Sequence, residues 1–188
     1  SRSYMPPVKI GEIMRGYSIS RIVASKSAEY PVGSYVTCFT GWTEIAILEK
    51  DDVNIIHQSP KSRPIDAIGV LGLTGLTAYF GVTEIGCVKA GDLVVVSGAA
   101  GATGSVACQI CKIKGARVLA IAGSDEKLQW LKELGCDVVL NYKAADFKEK
   151  FDKETEGLID VYYDNVGGEI LEMALSRANI GARFVMCG

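Results

Sequence analysis

The stretch "LVVVSGAAGATGSVACQICK" (93–112) constrains the fold more than any other part of the chain. A run of β-branched residues breaks into glycines and then resumes at helical spacing. The same change of period recurs to the end of the sequence. Strands are predicted at 93–97, 117–121, 137–140, 160–163 and 183–187. Helices are predicted between them at 102–114, 125–134, 144–153 and 169–178. Short apolar strands alternating with helices of this length imply a parallel sheet covered on both faces. Such a chain is read as α/β, with a doubly wound, Rossmann-type sheet of about five strands.

The residues before this region have a different character. "YSISRIVAS" (17–25), "YVTCFTGWTEIAIL" (35–48) and "VNIIH" (53–57) alternate as strands do, with turn residues between them. Two or three strands cannot cover themselves, so residues 1–60 are expected to be part of a β domain. "HQSPKSRP" reads as a linker, and 61–188 as the second domain, opened by a mostly helical 65–86. Both ends look cut, because the sheet pattern stops at Gly188 where such sheets normally continue.

Composition closes several functional classes. A net charge of −2 with both signs interspersed gives no basic face for nucleic acid. No apolar run reaches membrane-spanning length, and the first residues lack a signal-peptide pattern, so a cytoplasmic location is expected. Six dispersed cysteines suit a reducing compartment. Cys108 and Cys111 form a C-x-x-C inside a predicted helix, where buried small side chains are the better reading than a metal or redox pair. His57 is the only histidine, so no metal site is expected.

Between strand and helix, "AAGATG" (99–104) has the G-x-G-x-x-G layout with alanine in the first place. Gly101 lets the backbone approach a pyrophosphate, and Gly104 lets the helix pack closely on the strand. Unpaired N–H groups at the helix start, from Ala102, Thr103 and Gly104, then face the phosphates. The competing reading is a glycine turn that binds nothing.

The end of the second strand selects among dinucleotides. An NAD site usually carries an acid there, and "VLAIAGSDEK" instead supplies Gly123 and Ser124. Ser124 suits an N-cap, which puts Lys127 in the first turn of the helix, where a cation opposes the dipole. A 2′-phosphate would account for that ammonium; a solvated lysine balanced by Asp125 and Glu126 is the alternative. NADP(H) is therefore favoured. "NYK" and "DNVGG" follow the third and fourth strands on the same rim. Tyr142 suits an adenine or the 2′-phosphate, and Asn165 a ribose, though each reads equally well as a turn residue.

Taken together, "AAGATG", "GSDEK", "NYK" and "DNVGG" closely resemble the zinc-independent medium-chain dehydrogenase/reductases. Within them the chain is similar to the NADPH-dependent prostaglandin reductase, alkenal double-bond reductase and curcumin reductase group. "SYMPPVKIGEIMRG" and "YPVGSYVTCFTGWTEIAIL" resemble that family's GroES-like catalytic domain. The resemblance implies that residues 101–104 cradle the pyrophosphate. Gly123, Ser124, Lys127 and Tyr142 would surround the 2′-phosphate, with Asn165 on the nicotinamide-side ribose. Thr77 in "GLTAYFG" would lie near the carboxamide, and Cys187 and Gly188 would line the cofactor. Thr74 and Ser34 stand where the family usually has proline and aspartate. Tyr4 is a weak candidate for substrate contact.

The implied activity is NADPH-dependent reduction of the C=C bond of α,β-unsaturated aldehydes and ketones, by hydride transfer to the β carbon and without zinc. The implied partner is a small enal or enone, and the implied full-length form a homodimer. The alternatives are a quinone oxidoreductase of the same superfamily, or a truncated module that binds dinucleotide without turnover.

Overall fold

The computed structural model describes residues 6–57 and 59–188. These form two compact units, divided after Gly72. Residues 61–72 therefore group with the first unit.

The first unit holds a three-stranded antiparallel sheet in the order β1 (Ser18–Arg21), β2 (Tyr35–Cys38), β3 (Val53–Ile55). Val36 and Cys38 are its buried residues on β2, one side of the period-two alternation. The second predicted strand is much shorter than expected. Beyond Cys38 the chain turns at Gly41, which has a φ of 73° and packs so tightly that a Cβ would lie 2.5 Å from the Met14 carbonyl oxygen. The Gly41 and Trp42 amides donate to the Gly16 and Met14 carbonyls, at 3.1 and 2.9 Å. That turn ends the strand before Ile45 and Ile47, which are exposed.

The second unit opens with α1 (Leu73–Phe80) and one wider turn, Gly81–Ile85. The βα alternation follows as β4 (Leu93–Val96), α2 (Ala102–Ile113), β5 (Arg117–Ala122), α3 (Asp125–Glu133), β6 (Val138–Asn141), α4 (Phe147–Glu154), β7 (Ile159–Asp164), α5 (Gly168–Ser176) and β8 (Ala178–Met186). The five strands are parallel, in the order β6-β5-β4-β7-β8. Along β4 and β5 the side chains alternate between two cores. Val94, Val96, Val118 and Ala120 meet Ala107, Cys108 and Leu131 on one face. Val95, Leu119 and Ile121 meet Phe147, Phe151 and Ala174 on the other. Burial on both faces is why these strands are unbroken apolar runs.

Helix α2 reaches the sheet through small side chains, with Gly104, Ser105, Ala107, Cys108 and Cys111 buried. Cys108 and Cys111 are thus core residues, and burial pushes the Cys111 thiol up to about 12. Two starts differ by three residues or more from the sequence expectation. Helix α4 starts at Phe147, because residues 144–146 turn off β6 through the Ala144 amide bonded to the Asn141 carbonyl. Strand β8 starts at Ala178, five residues early, because the ladder to β7 shifts register between Ile159 and Val161 and absorbs the extra residues.

From β4 the chain winds outward to β5 and β6, then returns to β7 on the other side of β4. The carboxyl ends of β4 and β7 therefore flank a topological switch point, where open α/β sheets form their crevice.

Candidate functional site

The loop after β4 is compressed by its glycines. Gly98 has a φ of 56°, left-handed backbone that suits glycine. Its carbonyl accepts the Gly101 amide at 2.9 Å, folding the loop back before α2 begins. A Cβ on Gly104 would collide with the Gly98 carbonyl oxygen and lie 2.9 Å from the Ala99 Cα. Both obstacles are backbone, so this position needs glycine. Gly101 and Ala102 are exposed, and Gly101 has extended backbone without a capping side-chain bond. The first amides of α2 thus open to the rim with no side chain over them, which fits an anionic group. The Ala99 amide donates to the Ile121 carbonyl at 3.0 Å, tying this loop to the end of β5.

The β5 and β6 ends form the next part of the rim. Ser124 occupies the N-cap position of α3, and its hydroxyl makes no capping bond. Tyr142 packs on Gly123, where a Cβ would sit 2.7 Å from the ring Cε1. The Lys143 ammonium lies 5.7 Å from the centroid of the same ring. Asn141 donates through Nδ2 to Asp125 at 3.1 Å. Lys127 is exposed on the first turn of α3, and among the described residues no acid pairs with it. Asp125 and Glu126 share that turn with it.

At the switch point a buried polar node joins the loops. Ser97 and Asp164 are both fully buried. The Ser97 hydroxyl donates to Asp164 Oδ1 at 2.9 Å, and the same oxygen accepts from the Val166 and Gly167 amides and the Tyr162 hydroxyl. Burial pushes the Asp164 carboxyl up. Those bonds, the Gly167 amide foremost, outweigh it and hold the group below its ordinary value, as a carboxylate. Burial also pushes the Tyr162 phenol well above its ordinary value, so it stays a donor. A serine ending an apolar strand and an aspartate opening "DNVGG" were the available signals. Neither residue has a motif of its own.

Asn165 lies against this node: its amide donates to the Ser97 hydroxyl oxygen at 2.9 Å and its Nδ2 to the Ser97 carbonyl at 2.8 Å. The Cys187 and Gly188 amides donate to the Asp164 carbonyl at 2.9 and 3.1 Å, bringing the chain's last residues beside Asn165. Thr77 joins from α1, where its carbonyl accepts the Tyr163 hydroxyl at 3.0 Å. Tyr163 can reach because Gly81 lies under its ring, at a distance no Cβ would allow. Residues 101–104, Asn165, Cys187 and Gly188 lie at the ends of β4, β7 and β8, and Gly123, Ser124, Lys127 and Tyr142 at the ends of β5 and β6. Thr77 is tied to β7 only through its carbonyl, its hydroxyl donating to the Leu73 carbonyl at 2.7 Å. Tyr4 lies outside the described residues.

Comparison with known proteins places the chain among oxidoreductases. The family described as "N-terminal domain of oxidoreductase" matches residues 1–56, and the one described as "Zinc-binding dehydrogenase" matches 102–188. The chain is 43% identical over 185 residues to prostaglandin reductase 1 of Bos taurus, covering 96% of this chain and 56% of that protein. It is 41% identical over 187 residues to the NADPH-dependent curcumin reductase of Escherichia coli, covering 99% of this chain and 54% of that one. Among solved structures, CurA from Vibrio vulnificus in complex with NADPH superposes with a TM-score of 0.91 at 43% identity, over 98% of this chain and 55% of that one. The chain spans about half the length of the curated relatives it matches.

Proposed function

Because the chain belongs to the medium-chain dehydrogenase/reductase superfamily, in its prostaglandin reductase 1 and curcumin reductase group, we propose that it binds NADP(H) and serves the reduction of conjugated C=C bonds in enals and enones. In this reading the second unit, 73–188, is the coenzyme domain and 1–60 part of the substrate-side domain.

The observation that carries the reading is the Gly98–Gly104 contact, a helix start pressed onto its strand and left bare of side chains. Amides at the start of α2 hold the pyrophosphate, where aligned backbone dipoles favour negative charge. Lys127 supplies the charge for a 2′-phosphate, and Tyr142, seated on Gly123, closes that pocket with Ser124. Asn165 presents its side-chain oxygen to the nicotinamide-side ribose, while Thr77, Cys187 and Gly188 border the nicotinamide. When bound, the reduced coenzyme supplies the hydride. The protein's part is to align donor and acceptor and to keep water out. A substrate-side role for Tyr4 belongs to the same proposal.

The test is to incubate the chain with NADPH and a 2-alkenal, following loss of the reduced nicotinamide absorbance and identifying the product. Consumption with a saturated aldehyde as product supports the reading. Consumption with a quinone but not with the alkenal would replace the proposed substrate, and binding without consumption would leave a dinucleotide-binding module. Failure to bind NADPH at all would sink the proposal.

A further inference from the structure

We infer that Ser97 and Asp164 are a positioning pair that sets the orientation of the Asn165 side chain, so that its Oδ1 is the acceptor offered to a ribose hydroxyl. The inference rests on the coenzyme reading above and goes beyond it by assigning two residues outside the ligand-facing set.

The Ser97 hydroxyl has one proton, and it goes to Asp164 Oδ1. That fixes the rotor, leaving a lone pair of Ser97 Oγ to accept the Asn165 amide at 2.9 Å. Two residues are thereby held in register across the switch point. The Ser97 carbonyl then accepts Asn165 Nδ2 at 2.8 Å. A flipped side chain would set oxygen against oxygen, so only one orientation makes the bond, and Oδ1 is turned away from Ser97. Asp164 secures the other side of the loop, because the same Oδ1 accepts the Val166 amide at 3.1 Å and the Gly167 amide at 2.9 Å. With the Ser97 and Tyr162 hydroxyls, four donors fall on this one carboxylate oxygen. Among the described residues Asp164 Oδ2 has no partner, although it is buried.

A carboxylate with one oxygen saturated and the other bare is expensive as a stability device alone. Its arrangement is explained by where it holds the 165–167 backbone. Gly98 reports the same constraint from the opposing loop, since a Cβ there would lie 3.2 Å from the Asn165 Cβ. The two loops have no room to slide, and the Asn165 amide has one seat.

The experiment splits the coenzyme. Wild type, Ser97→Ala and Asp164→Asn are titrated by calorimetry with NADPH and with adenosine 2′,5′-bisphosphate, which carries the adenine-side phosphates and lacks the nicotinamide half. Ser97→Ala should raise the Kd for NADPH about tenfold, the loss of one well-placed buried bond. The Kd for the bisphosphate should stay within about twofold. Asp164→Asn keeps an oxygen at the Oδ1 position and should fall between wild type and Ser97→Ala. A merely structural role would weaken both ligands in parallel, and that result, or no change for either, would overturn the inference while leaving the coenzyme reading intact. Wild type that binds neither ligand would overturn both.

Discussion

The Tyr142 ring rests on the bare Cα of Gly123, at a separation only glycine permits. Strand pairing creates the contact: Ala122 is registered with Asn141, and the Tyr142 amide donates to the Ala122 carbonyl at 3.1 Å. The residue after β5 and the residue after β6 therefore stand side by side, at the position where an NAD site would usually carry an acid.

That contact gives the first prediction. Gly123→Ala pushes the ring away, and the ring, the far end of a side chain, can move. Folding should change by no more than about 1 kcal/mol. The Kd for NADPH should rise about fivefold, with that for NADH nearly unchanged. Isothermal titration with both coenzymes checks this, and equal weakening of the two would contradict it.

The glycines of the β4–α2 loop should separate in their effects. Gly104→Ala drives a Cβ into the backbone of Gly98 and Ala99, which cannot yield without moving α2. A loss of about 1–3 kcal/mol is expected, read as a lower Tm. At Gly101 a Cβ meets only the Gly98 carbonyl oxygen, at 3.2 Å, and the position is exposed. Gly101→Ala should keep a near-native Tm and still lose coenzyme affinity, because the methyl covers the amides. Affinity unchanged in Gly101→Ala would argue against phosphate at this helix start.

Much of this architecture can be read from the sequence, and the exceptions have physical causes. Strand β4, the glycine loop and α2 are plain because a doubly buried strand is a continuous apolar run, and helical spacing resumes at once in "VACQICK". Helix α3 is marked by Ser124 before it and by Gly135 after it, at a φ of 91°. By contrast Ala144 and Ala145 look helical from propensity, while the chain needs them to leave β6. The early start of β8 depends on a register shift against β7, a tertiary fact without local trace. For the same reason the rim residues are legible one at a time. The Ser97–Asp164 bond that aligns them joins positions 67 residues apart.

One ion pair should make stability depend on pH. Asp137 accepts Lys112 Nζ at 2.7 Å and the Val118 amide at 2.7 Å, joining α2, β5 and the turn before β6. Partial burial pushes its carboxyl up, and the Lys112 and Val118 bonds outweigh this, leaving it below its ordinary value of 3.8. The folded state thus holds this proton less tightly than the unfolded one, so stability increases with pH across the window. The contribution is complete above the unfolded value and disappears as pH falls through the folded one. Asp137→Ala should cost about 1 kcal/mol at neutral pH, because the pair is about a third exposed and solvent screens it. Thermal unfolding of wild type and variant should converge below about pH 4. A constant gap down to about pH 3 would show that the charge is not what matters.

The most direct test of the account is coenzyme preference in Lys127→Ala. This ammonium is exposed, unpaired among the described residues, and carried on the turn that follows Gly123. If it meets a 2′-phosphate, its removal should raise the Kd for NADPH about tenfold or more and leave that for NADH within about twofold. An unchanged ratio of the two dissociation constants would contradict the assignment of this rim to NADP(H).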